Sequence, residues 1–190
     1  DPGLRPECGG IVSGAAMGGS DMRIGFRAVQ GVQIRFAESN SPTSPRLVLT
    51  SPWPESLLAF QRVWPPRFSR TAHLLAVDLP GFGHSECRTE LLGDRFARAT
   101  RYVRSYPEQL QRLGQILSTI FTPVQIIAGR WDPLVPLANA DYLHARLPNS
   151  HLDVLDTGHF AWEQAPDHYA AIVTAWVNGG YLTGSAGLQH

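Results

Sequence analysis

Four short apolar runs, each delivering the chain into a loop, constrain this sequence more than any other feature. They are RLVLT at 46–50, HLLAVDLPGFGHS at 73–85, VQIIAG at 124–129 and HLDVLD at 151–156. A continuous apolar run of this length suits a strand buried on both faces, the setting of a parallel sheet. Between the last two runs, LANADYLHARLP has helical character. After them, APDHYAAIVTAWVNGG reads as a closing helix with Gly179–Gly180 at its C-terminal end. Strand–helix alternation implies an α/β domain, a mostly parallel sheet with helices on both faces.

Earlier in the chain, IGFRAVQGVQIRFAES alternates apolar and polar residues around Gly31, the pattern of a hairpin with glycine at its turn. ESLLAFQRVWP carries helical spacing at Leu57, Leu58, Phe60, Gln61 and Trp64. GDRFARATRYVRSYPEQLQRLGQILSTIF reads as two helices separated at Pro107, which would occupy the first turn of the second. A disordered leader is expected over 1–22, one abbreviated α/β domain over 23–180 with a helical insert at 94–120, and a frayed tail over 181–190.

At 190 residues, 43% hydrophobic and 17% charged, the chain has the composition of one globular domain. Sixteen basic and sixteen acidic side chains cancel, which leaves no electrostatic footprint for nucleic acid or an anionic membrane. No apolar run approaches a membrane span. Cys8 and Cys87 make no disulfide framework and suit a reducing compartment or simple indifference to redox; a cytoplasmic location is expected. Metal-ligand spacing is absent, and Gly81-x-Gly83 is followed by no Lys-Ser/Thr pair; neither a metal nor a nucleotide cofactor is expected.

The chemistry-bearing positions are Asp132 and His159. In an open α/β sheet ligands collect beyond the carboxyl ends of the strands. Asp132 follows VQIIAG in the loop GRWDPLVP, and His159 follows HLDVLD in the loop TGHFAW, so the fold would carry both to one rim. An aspartate that accepts the Nδ1–H of a histidine fixes the tautomer and leaves Nε2 to take a proton from a nucleophile or a water. Taken singly, a loop aspartate before a helix more often caps it, and a loop histidine is more often a surface polar group.

RLVLTSPWPESLLAFQRVWP, HLLAVDLPGFGHSE, TPVQIIAGRWDPLVP and LDVLDTGHFAWEQAPD stand in one order over most of residues 24–180. In these stretches the chain resembles the α/β-hydrolase fold family, in its epoxide hydrolase and haloalkane dehalogenase branch. The resemblance implies that Asp132 is the triad acid, His159 the triad base, and a small molecule the substrate. SPWPES falls where family members carry a His-Gly-x-Pro oxyanion turn. Ser51 and Pro52 replace His and Gly, and the backbone N–H of Trp53 would be the donor. Trp53–Pro54 is a candidate cis peptide. The alternative for this turn is purely structural, a helix start with Ser51 or Glu55 near its first residues. DLPGFGHS resembles a family loop in which Asp78 and Ser85 are structural and Gly81 and Gly83 supply unusual backbone conformations. Tyr102 and Tyr106 fall in what resembles a remnant of the cap.

One part of that pattern is missing. No Gly-x-Ser-x-Gly segment occurs, nor the same turn built on Cys or Asp. A helix, a strand, the nucleophile turn, a second helix and a second strand would need about 50 residues. Only the 38 residues from His84 to Phe121 are present for it, and they read as helical. The middle of the sheet, not one side chain, is what the sequence lacks. Two consequences are expected: the strands at 47–50 and 124–128 close up and pair directly, and the Asp–His pair supports little or no turnover. Strand edges left open would favour self-association, or pairing with the other half of a split hydrolase.

Overall fold

The computed structural model describes residues 22–39, 45–52, 55–68, 72–87 and 95–180. The expected leader and tail, the Trp53–Pro54 bond and the segment 88–94 lie outside the described residues, apart from Met22 at the start of the first strand. The chain divides into two compact units, Asp1–Arg98 and Ala99–His190.

The first unit is built on a four-stranded sheet in the order β1-β2-β4-β3. Strands β1 (Met22–Val29) and β2 (Val32–Ser39) form the hairpin expected around Gly31. Its two-residue turn places Gln30 at φ 49° and Gly31 at φ 79°. Positive φ at both central residues makes it the primed turn whose twist matches that of paired strands. Strand β3 (Arg46–Thr50) runs parallel to β4 (His73–Val77), and β2 pairs antiparallel with β4. The core gathers on this sheet: Ala37, Leu57, Val63, Phe68, Leu74 and Ala76 are essentially inaccessible to solvent. Each of the larger ones contributes about 1.5–3 kcal/mol of burial.

ESLLAFQRVWP is helical only in pieces, a 3-10 turn at Leu57–Phe60 and a wider helical turn at Trp64–Phe68. Ser56 caps the first piece by accepting from the Leu58 N–H. Ser51 is not near the cap; it is buried, donating its N–H to the Val77 carbonyl and accepting at Oγ from the Leu79 N–H.

The loop after β4 is held from within. Asp78 is fully buried; Oδ1 accepts from the Leu57 N–H at 2.6 Å and Oδ2 from the His84 N–H at 2.8 Å. Arg35 Nη1 lies 3.7 Å from Oδ2. Ser85 Oγ donates to the Asp78 carbonyl and accepts from the Arg35 N–H. Gly83 takes φ 52°, and a Cβ there would stand 2.1 Å from Asp78 Oδ2. Asp78, Ser85 and Gly83 are therefore the fastening of this loop.

The second unit contains helix α1 (Arg95–Ile116, all but its first residues), a two-stranded parallel sheet of β5 (Val124–Gly129) and β6 (Ser150–Leu155), and three further helices. These are α2 (Leu137–His144), α3 (Ala161–Gln164) and α4 (Pro166–Ala175). The chain then turns at Asn178–Gly179, where Gly179 adopts φ 109°.

Two expectations are corrected. Helix α1 is continuous, with Pro107 inside it rather than between two helices. Proline's fixed φ is helical, so the helix runs through Pro107 with one N–H lost from its 22 residues, at a cost of about 3 kcal/mol relative to alanine. Second, the apolar runs at β3 and β5–β6 are not fully buried. Strand β3 alternates exposed and half-buried residues, with Val48 59% accessible, and β5 is half-buried up to Gly129. A strand with one neighbour cannot be covered as a central strand is. Within the first unit β3 pairs with β4, and within the second β5 pairs with β6.

Candidate functional site

Asp132 and His159 are brought together by the parallel β5–β6 ladder, whose register sets Gly129 opposite Leu155. The pairing continues into both loops: the Arg130 N–H donates to the Leu155 carbonyl at 2.8 Å, and the Trp131 N–H to the Thr157 carbonyl at 2.9 Å. Asp132 and His159 are thus launched from one strand pair, within the second unit.

Close approach of the two loops requires Gly129. A Cβ on it would stand 2.1 Å from the Gly158 carbonyl oxygen and 2.7 Å from that of Thr157. The His159 loop is tied from its other side as well, because the Gly158 N–H donates to Gln164 Oε1 at 2.6 Å. An exposed ion pair, Arg130 Nε to Asp156 Oδ1 at 2.7 Å, joins the loops at the surface.

Within this frame His159 Nδ1 lies 2.8 Å from Asp132 Oδ2. The other carboxylate oxygen, Oδ1, accepts from the Leu134 N–H at 2.8 Å and the Val135 N–H at 2.9 Å. Asp132 is not the cap of α2, which begins at Leu137 without a side-chain cap; its backbone partners lie in its own turn. Burial works to raise the Asp132 carboxyl, but the hydrogen bonds from Val135, His159 and Leu134 outweigh it and hold the group below its ordinary value. The carboxylate is therefore ionised at neutral pH. It orders the Nδ1–H tautomer of His159, leaving the Nε2 lone pair as the ring's reactive site.

Exposure follows the same division. The Asp132 side chain is 9% accessible and that of His159 33%. Phe160 stands edge-on to the imidazole, ring centroids 5.1 Å apart at 77°, and continues through Trp162 to Tyr169 in edge-to-face contacts. The loop around Asp132 presents Trp131, Leu134 and Val135 to solvent.

Trp53, the expected oxyanion donor, lies outside the described residues. Ser85 and Asp78 are engaged in fastening their own loop, as above. Tyr106 is exposed on α1. Among the described residues, no group of three or more His, Cys, Asp or Glu is placed to hold a metal ion, and no helix is long and apolar enough to cross a membrane. Sequence reasoning missed Gly129, Gly158 and Gln164. The signal for the first was present: a glycine closing an apolar strand marks close backbone approach. Nothing in the sequence marks Gln164 as the tether.

No protein-family model matches the chain. Among curated proteins it is similar to a putative carbamate hydrolase, RutD, of Cronobacter sakazakii, 44% identical over 57 residues, which is 30% of this chain and 21% of that protein. It is also similar to an uncharacterised protein of Mycobacterium tuberculosis, 32% identical over 85 residues. The matches span only 21–25% of the length of these relatives. Among solved structures it is similar to a CIB-like hydrolase from Thermoplasma acidophilum, with TM-score 0.66 and 16% identity over 85% of this chain and 100% of that one. A haloalkane dehalogenase loop variant from Bradyrhizobium elkanii matches with TM-score 0.61 and 13% identity, over 88% of this chain and 100% of that one. The chain has the α/β-hydrolase fold.

Proposed function

We propose that this chain carries the acid–base half of an α/β-hydrolase whose forebears cleaved ester, epoxide or carbon–halogen bonds in small molecules. Asp132 is its acid and His159 its base. The observation that carries the reading is the 2.8 Å contact between His159 Nδ1 and a carboxylate whose other oxygen is pinned by two backbone N–H groups. That arrangement serves a proton acceptor better than it serves a surface salt link.

A positioned general base is worth about 10²–10⁴ in rate, against the 10⁶ or more that working enzymes reach. Without a nucleophile turn in the sequence, the pair alone leaves unactivated esters and epoxides essentially uncut. Ser or Asp as the ancestral nucleophile would decide between ester and epoxide or haloalkane chemistry; the Trp53-Pro54-Glu55-Ser56 sequence leans toward the latter. The test is spectroscopic. A low-field exchangeable proton assigned to His159 Nδ1, lost in Asp132→Ala, is expected in the NMR spectrum of the purified chain. A spectrum in which His159 carries its proton on Nε2 refutes the pair as an acid–base unit.

A second reading, an interaction module or one half of a split hydrolase, is favoured by strand β3. It carries a ladder on one edge only among the described residues, while Val48 on it is 59% accessible.

A further inference from the structure

The geometry points to His159 Nε2 as a nucleophile in its own right, one that activated acyl compounds, such as aryl esters and acyl phosphates, acylate directly. This deepens the reading of Asp132–His159 as an acid–base pair and rests on it.

Three observations converge. Asp132 Oδ2 takes Nδ1 at 2.8 Å, so the proton of the neutral ring is held on the side facing the carboxylate and the lone pair stands on Nε2. No hydrogen bond engages Nε2 among the described residues, and the ring retains 33% of its side-chain exposure while its partner retains 9%. The accessible edge of the pair is therefore the histidine's. Finally, its surroundings suit an aromatic or acyl group rather than an ion: Phe160 lies edge-on to the imidazole, and the adjoining loop presents Trp131, Leu134 and Val135.

The step balances without a further reagent. The Nε2 lone pair attacks the acyl carbon, forming the N–C bond. The tetrahedral adduct then collapses, the carbon–oxygen bond to the leaving group breaks, and a stabilised aryloxide or phosphate departs with that electron pair. The ring is left acylated on Nε2 and protonated on Nδ1, a cation that the Asp132 carboxylate faces directly. Water next attacks the acyl carbon; one of its protons passes to solvent, the other leaves with the carboxylic acid, and Nε2 recovers its lone pair while Nδ1 keeps its proton. An alkoxide is too poor a leaving group for the first collapse, so this chemistry is confined to activated acyl donors, and alkyl esters and epoxides stay intact. His159 is the catalytic residue and Asp132 the positioning residue.

The experiment exposes the purified chain to p-nitrophenyl acetate, quenches in acid at short times, and maps the acetyl group by peptide mass spectrometry. The expected result is one acetyl on the peptide carrying His159, formed at least about tenfold faster than on that carrying exposed His168, which an ordinary imidazole would match. Hydroxylamine removes it, and nitrophenolate release shows a solvent deuterium isotope effect close to unity. His159→Gln abolishes the adduct; the wild-type comparison with His168 needs no variant, so it stands if that one misfolds. Acetylation spread evenly over the histidines overturns the inference. So does His159-dependent release with no adduct and an isotope effect of about two or more, the mark of proton removal from water. Failure of acylation with the His159 Nδ1 proton signal intact overturns this inference alone; loss of both overturns the acid–base reading as well.

Discussion

Asp132 shows how a single side chain can be structural and chemical at once. Oδ1 closes its own turn by accepting two backbone N–H groups, and Oδ2 faces the imidazole. Asp132→Ala removes all three contacts. It is expected to lower stability by about 2 kcal/mol, read in a denaturant melt, because two N–H groups lose an ionised acceptor. Asp132→Asn keeps the shape and an acceptor, so it should cost less while still disturbing the tautomer. The direction of the pH effect follows from the depressed carboxyl of Asp132. A group whose folded value lies below its unfolded value contributes stability that is fully present above the ordinary carboxylate range, near pH 4, and is lost as pH falls through the folded value. Thermal melts of Asp132→Asn should therefore lose less between about pH 5 and pH 2 than wild type does. Parallel acid limbs in the two proteins would show that Asp132 contributes nothing there.

Among the elements, the β5–β6 pair with its two loops is the part that positions chemistry, and Gly129 is its narrowest point. Gly129→Ala places a Cβ 2.1 Å from the Gly158 carbonyl oxygen, backbone that cannot swing aside. The expected cost is about 2–3 kcal/mol in stability, together with loss of the low-field His159 proton because its loop must shift. Pro107→Ala tests the opposite sign. It restores an N–H to the interior of α1, where proline is about 3 kcal/mol worse than alanine, so the melting temperature should rise. The elements also show which parts of the sequence were legible. The strands, the Gly31 turn and the loop placement of Asp132 and His159 depend on local pattern, and they stand as expected. Pro107 misled because its fixed φ is itself helical, so a helix can run through it at a cost instead of ending. The Gln164 tether was invisible, since a glutamine six residues from Gly158 has no pattern of its own.

For the whole molecule, burial was the least legible property, because it depends on neighbours a strand acquires only in the folded chain. RLVLT and VQIIAG have the composition of central strands. Yet, among the described residues, β3 carries a ladder on one edge only and β5 pairs with β6 alone. The unmet apolar demand remains in Val48, 59% accessible on an edge strand. An edge with unpaired N–H and C=O groups and exposed apolar side chains is a template for another strand, and proteins commonly blunt such edges with lysine. We expect the purified chain to gain mass with concentration in sedimentation equilibrium, and Val48→Lys to weaken that association several-fold. Because Val48 is largely solvated, the lysine should alter unfolding stability by no more than about 0.5 kcal/mol. Loss of association would then report on the edge rather than on folding. A chain that stays monomeric at every concentration, or a Val48→Lys chain that associates as wild type does, would remove β3 as the contact and, with it, the observation favouring the interaction-module reading.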